Sequence, residues 1–175
     1  MRQCLVIVAA IVGVTLLGAT AQADTSLPAK TLNPNDYQSF VVNWSPDAKP
    51  LCAVMLSQAD WDKVMHPAPV MGGAKPFSPV NFDWNKDEIL LIARVINGGG
   101  DNSKVFSLTG VTISAKALNL AYGFKPTPAA SYTIKGSMLV VVPRAAKSPV
   151  RFVENGKATC ALDPAKGKWV SPKLP

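Results

Sequence analysis

Apolar and polar positions alternate in short runs along most of this chain. The segment Phe40-Val41-Val42-Asn43-Trp44 is rich in β-formers and sets Phe40, Val42 and Trp44 on one face. Leu51 to Leu56 is a short apolar run that reads as a buried strand. Val80-Asn81-Phe82 alternates. Glu88 to Ile96 is the strongest strand signal: it is apolar at both odd and even positions, which predicts a central strand covered on both faces. Lys104 to Ile113 alternates in part through Val105, Ser107, Val111 and Ile113, and Leu118 to Tyr122 alternates cleanly. Met138 to Val142 is another apolar run, ended by Pro143. Val150 to Glu154 leads into Asn155-Gly156, the pair preferred in type I′ hairpin turns, and Lys157 to Leu162 reads as the return strand.

Helical spacing occurs once. Ser57 can cap a helix whose third position is Asp60, near the positive end of the dipole, and Trp61, Val64 and Met65 then share a face. His66-Pro67 ends it, because a residue before proline avoids the α region. Residues 67–79 hold four prolines and Gly72-Gly73 and read as a loop. The pattern predicts a mainly β fold, an antiparallel β-sandwich or open barrel of about seven short strands with one short early helix. Residues 38–162 form its single domain. Residues 24–37 are expected as a flexible lead, and residues 163–175, with three prolines and three lysines, as a loose tail.

The first residues belong to a different pattern. Arg2 precedes an apolar or small stretch from Leu5 to Leu17, and Ala21 and Ala23 fit the small-x-small cleavage rule. Residues 1–23 read as a signal peptide, with Asp24 the first mature residue and a periplasmic or secreted destination. The alternative is a retained anchor helix, for which Cys4 to Ala21 is marginal in length and diluted with Gly and Thr. No cysteine follows the apolar stretch, so lipoprotein processing is not expected. Cleavage leaves Cys52 and Cys160, and an even pair in an exported chain reads as one disulfide. Two unpaired buried thiols are the alternative. Nothing resembles the Cys-x-x-Cys of redox sites.

Composition narrows the chemistry. The 175 residues hold 18 Lys and Arg, 11 Asp and Glu and a single His, and 48% are hydrophobic, which excludes a disordered chain. One histidine excludes a three-His metal centre, and no cofactor or metal is expected. Charge is uneven. Residues 24–101 hold nine acids and six bases, a net −3, while residues 102–175 hold eleven bases with only Glu154 and Asp163, a net +9. Such asymmetry can mark a surface for an anionic partner. The simpler reading is solvated outward lysines on strands, because the lysines are dispersed. Nucleic-acid binding would want a clustered basic stripe.

Candidate catalytic groups are sparse. His66 sits at a proline-stopped helix end, in ordinary (i, i+4) spacing from Asp62. Asp83 with Asp87-Glu88 is the densest carboxylate group and reads first as a polar turn, second as a glycosidase-like pair. Asp36, Asp47 and Asp101 follow no calcium-loop spacing. Gly98-Gly99-Gly100 lacks the Gly-Lys-Ser/Thr of a phosphate loop and reads as a mobile connection. There is no Gly-x-Ser-x-Gly. Trp44, Trp61 and Trp84 are expected as core anchors, and Trp169 as an exposed aromatic contact.

From Trp61 onward the layout resembles a known family. A helix Trp precedes a Pro-rich loop. Then come Val80-Asn81-Phe82-Asp83, the strand Ile89 to Ala93, a glycine-containing turn and a strand bearing Phe106. Later come Ser131-Tyr132-Thr133-Ile134, Met138 to Arg144 and Val150-Arg151-Phe152. Residues 57–154 are similar to the C-terminal domain of a bacterial protease-complex accessory subunit, a small secreted domain. The Thr-Gly-Gly-Tyr-like turn usual in that family is replaced here by Gly98 to Phe106, and the lipobox of many relatives is absent. The resemblance implies no catalytic residue. It implies non-enzymatic binding that stabilises or scaffolds a protein partner in the cell envelope, with a protease as one such partner. Two alternatives stay open. One is a protease or hydrolase inhibitor acting through Gly98, Gly99, Gly100, Asp101, Asn102 and Lys104. The other is a hydrolase using Asp83 and Glu88.

Overall fold

The computed structural model describes residues 24–42, 49–68, 74–98, 104–145 and 149–174. The expected signal peptide, residues 43–48 with Trp44, and residues 69–73, 99–103, 146–148 and 175 lie outside them. Among the described residues are twelve strands and one α-helix. In chain order these are β1 (Thr25–Ser26), β2 (Lys30–Leu32), β3 (Ser39–Val41), β4 (Leu51–Met55), α1 (Gln58–Val64) and β5 (Met65–Pro67). There follow β6 (Asp87–Asn97), β7 (Phe106–Ile113), β8 (Leu118–Phe124), β9 (Thr133–Pro143), β10 (Val150–Glu154), β11 (Lys157–Leu162) and β12 (Val170–Ser171).

The strands form a sandwich rather than a barrel. One sheet has the order β1-β7-β8-β10-β11, the other β12-β4-β6-β9-β2, and β3-β5 is a separate pair. Pairing is antiparallel except between β8 and β10. That exception follows from topology: after β8 the chain crosses to the second sheet as β9 and returns as β10. Asn155 and Gly156 take φ of 48° and 81°, the positive values a type I′ turn requires.

The second sheet is apolar on both faces, which is why β6 reads as a continuous apolar run. Its even-numbered residues Leu90 and Ile92 join Val54, Val140, Leu120 and Phe152 between the sheets. Its odd-numbered residues Ile89, Leu91 and Ala93 face an outer layer built from Trp61 and Val64 of α1 with Val41 and Met65. Trp61 is buried as expected, and its indole N–H donates to the Phe77 carbonyl at 3.1 Å. Burial of each such large side chain contributes roughly 2–3 kcal/mol. Cys52 of β4 and Cys160 of β11 are disulfide-bonded, with Cα atoms 6.5 Å apart, and so tie the two sheets together across a sequence separation of 108.

Four segments differ from the sequence reading. Residues 24–37 are not simply a lead: β1 pairs with β7 and β2 with β9, at the edges of opposite sheets. Edge strands need only their backbone groups paired, so their side chains stay polar and exposed and carry no apolar signal. The tail is likewise built in. It makes a single 3-10 turn at Pro164–Lys166, a left-handed Gly167 and strand β12 against β4. Phe40 does not share a buried face with Val42. The β3–β5 register places Val41 opposite Met65 inside and leaves Phe40 outside, opposite His66. Val80-Asn81-Phe82 is a turn, with Asn81 at φ 58°.

Candidate functional site

The most chemically distinct surface lies where the tail meets α1. Ser57 caps α1 by accepting the Asp60 N–H at 3.2 Å, and Asp60 in turn accepts from the Leu56 amide and the Ser57 hydroxyl. With Trp61 and Val64 fixed inside, Asp62 and Lys63 face out. The tail approaches from the other side. Asp163 and Lys168 exchange both backbone hydrogen bonds, at 2.8 and 3.0 Å, and Gly167 at φ 74° closes the turn between them. The turn delivers Trp169, whose carbonyl accepts the Val54 N–H at 2.8 Å. Val170 and Ser171 then pair with Ala53 and Cys52.

The result is a cleft of about 830 Å³ lined by Lys63, His66, Lys166, Lys168, Trp169 and Lys173, among others. Trp169, expected as an exposed contact, is half-buried: it packs against the outer apolar layer, and Lys63 Nζ lies 5.6 Å from its ring centroid. Four lysines line the cleft against one carboxylate, Asp62, which accepts a hydrogen bond from Gln58 at 2.8 Å. Lys166 is held by Asp163 at 2.9 Å, a pair of small energetic worth because its ammonium group is exposed. His66 stands at the rim, 6.1 Å from the Phe40 ring. The arrangement presents an apolar wall beside convergent ammonium groups, which suits an anionic ligand better than a bond-breaking reaction.

The other candidate residues lie elsewhere. Asp83 is at the surface. Its Oδ2 pairs with Lys86 at 2.9 Å and its Oδ1 accepts the Asn85 N–H, and the Lys86 contact foremost holds its carboxyl below the usual range. Glu88 is inside, 2% exposed. Desolvation pushes its carboxyl up to about 7, against the opposing pull of the Arg144 charge and a backbone bond from Ala145. The two carboxylates the hydrolase reading pairs are thus on opposite sides of the protein surface, and neither lines the cleft. Of the Gly98–Lys104 segment, only Gly98 and Lys104 are described. Gly98 is pinned: it exchanges hydrogen bonds with Tyr132 at 2.9 and 2.8 Å, and a Cβ there would fall 1.8 Å from the Tyr132 ring. Lys104 is exposed.

Sequence reasoning missed two features. One is the convergence of Lys63 with the tail lysines; the +9 half was its only signal. The other is a polar network joining the sheets. Arg94 of β6 grips Glu154 of β10 through two hydrogen bonds, at 2.6 and 2.9 Å, and the Tyr122 hydroxyl donates to the same carboxylate at 3.0 Å. Burial raises the Tyr122 hydroxyl well above its usual range, so it stays a donor. Arg94 also stacks on Phe124 at 4.6 Å. Among the described residues no three His, Cys, Asp or Glu side chains group to hold a metal, and no helix is long and apolar enough to cross a membrane. Comparison with family models, with curated proteins and with solved structures finds no match.

Proposed function

We propose that this chain is an exported, non-enzymatic binding domain that engages a protein partner in the cell envelope and stabilises or scaffolds it. The observation that carries the reading is the cleft beside Trp169, where an apolar wall and four lysines meet on a disulfide-tied frame. A rigid sandwich with an aromatic anchor at a charged rim has the make-up of a recognition surface. The likeness of residues 57–154 to accessory-subunit domains supports the same reading and makes a protease complex the first partner to examine.

The test is photo-crosslinking in the native envelope. A photoreactive phenylalanine analogue replaces Trp169 in one variant and Lys116, in the β7–β8 turn, in another. The reading expects a discrete protein adduct from position 169 and none from 116. Adducts to lipid alone, or the same adducts from both positions, would overturn it.

A further inference from the structure

We propose that the Trp169 cleft receives an extended acidic segment of the partner, running beside β12 with its carboxylates on Lys166, Lys168 and Lys173. This rests on the binding function above and names the chemistry of the partner. Three observations carry it. The first is charge: four lysines line the cleft, and Lys168 and Lys173 have no carboxylate partner among the described residues. Ammonium groups gathered with so little compensation repel one another, and an incoming anion relieves that repulsion.

The second is the sheet edge. β12 is the terminal strand of its sheet and pairs only with β4 among the described residues, which leaves its other edge without a strand partner there. An extended peptide can add there by main-chain hydrogen bonds, which a saccharide cannot reproduce. The third is the aromatic wall. Lys63 already approaches the Trp169 ring at 5.6 Å and the ring also packs on the outer layer, which leaves less of its face for a stacked sugar than for an apolar side chain. Lys166 is released from Asp163 at little cost because its ammonium group is exposed to solvent.

The experiment uses the oxidised mature protein, residues 24–175, and a fluorescein-labelled peptide of alternating Glu and Val, read by anisotropy. Saturable binding that weakens as salt rises is expected. Lys168→Glu with Lys173→Glu should weaken it by about tenfold or more, whereas Lys116→Glu with Lys125→Glu, the same change in net charge elsewhere, should stay within about twofold. Near-ultraviolet circular dichroism confirms that both variants are folded. Equal loss in both variants, or no loss in the first, overturns the proposal. Displacement of the peptide by an oligogalacturonate at lower concentration than by unlabelled peptide also overturns it and assigns the cleft to an anionic glycan. A protein adduct at position 169 with no peptide binding removes the acidic segment but leaves the binding function standing. Peptide binding with no adduct does the reverse.

Discussion

At the Asn97 end of β6, Arg94 points into the layer between the sheets and meets Glu154 of β10 in a two-point ion pair that Tyr122 completes. At the Asp87 end of the same strand, Glu88 points into the same layer, six residues and about 20 Å away. Its charge partner, Arg144, spends a guanidinium N–H on the Trp84 carbonyl at 2.6 Å, and the Glu88 Oε1 has no hydrogen-bond partner among the described residues. One end therefore holds a carboxylate fully matched to its donors, and the other holds a carboxyl that burial drives toward its neutral form. The two acids differ in both depth and donors: the partly buried Glu154 keeps a partner on each oxygen, while Glu88, 2% exposed, does not.

The largest change acts between the two ends and on neither. Replacing Cys52 and Cys160 with alanine removes the cross-link over 108 residues and should lower stability by about 4–5 kcal/mol, by the chain-entropy model. Urea unfolding at several pH values should show the loss as a uniform offset. A change in the shape of the pH profile would mean that the disulfide positions one of the acids. Next is the matched end. Arg94→Ala leaves the partly buried Glu154 without its cation and should cost about 3 kcal/mol. Adding Glu154→Gln should recover part of the loss at neutral pH. A second variant no more stable than the first would show that packing of Arg94 on Phe124, not charge matching, holds that end.

What could be read along the chain was what neighbours in sequence determine. The capped helix, the β10–β11 hairpin and the two-faced strand β6 depend on local spacing and turn chemistry; the hairpin and β6 formed where their patterns placed them, and the helix starts after Ser57 as expected but ends at Val64, with Met65–Pro67 extended as β5 rather than helical. The disulfide followed from cysteine arithmetic under export. Strands β1, β2 and β12 were invisible because their stability comes from distant partners: Lys30 pairs with Val141, and Ser171 with Cys52. The same limit hid the cleft, whose lysines come from α1 and from the tail. It also hid the Arg94–Glu154 pair, 60 residues apart, in which each member reads as an ordinary surface charge. Trp169 was the exception, singled out as an aromatic in a tail expected to be loose, and its half-burial comes from that tail being built into the fold.

The unmatched end gives an effect no larger than the matched one in order of magnitude, and the sharpest test. The Glu88 carboxyl titrates at about 7 in the folded protein and at about 4.5 when unfolded, because desolvation outweighs the pull of Arg144 and the Ala145 amide. Below pH 4.5 both states hold the proton and the residue costs nothing in ionisation. Between 4.5 and 7 the unfolded chain releases its proton while the folded one keeps it, so stability falls as pH rises. Above 7 both are ionised and the cost is constant, at about 3 kcal/mol. Glu88→Gln keeps the shape and removes the titration. The variant should therefore match the parent near pH 4 and exceed it by about 3 kcal/mol at pH 8, the difference opening across that window. A parallel offset at all pH values would mean that Glu88 is already matched by a donor, and the two ends of β6 would then be alike.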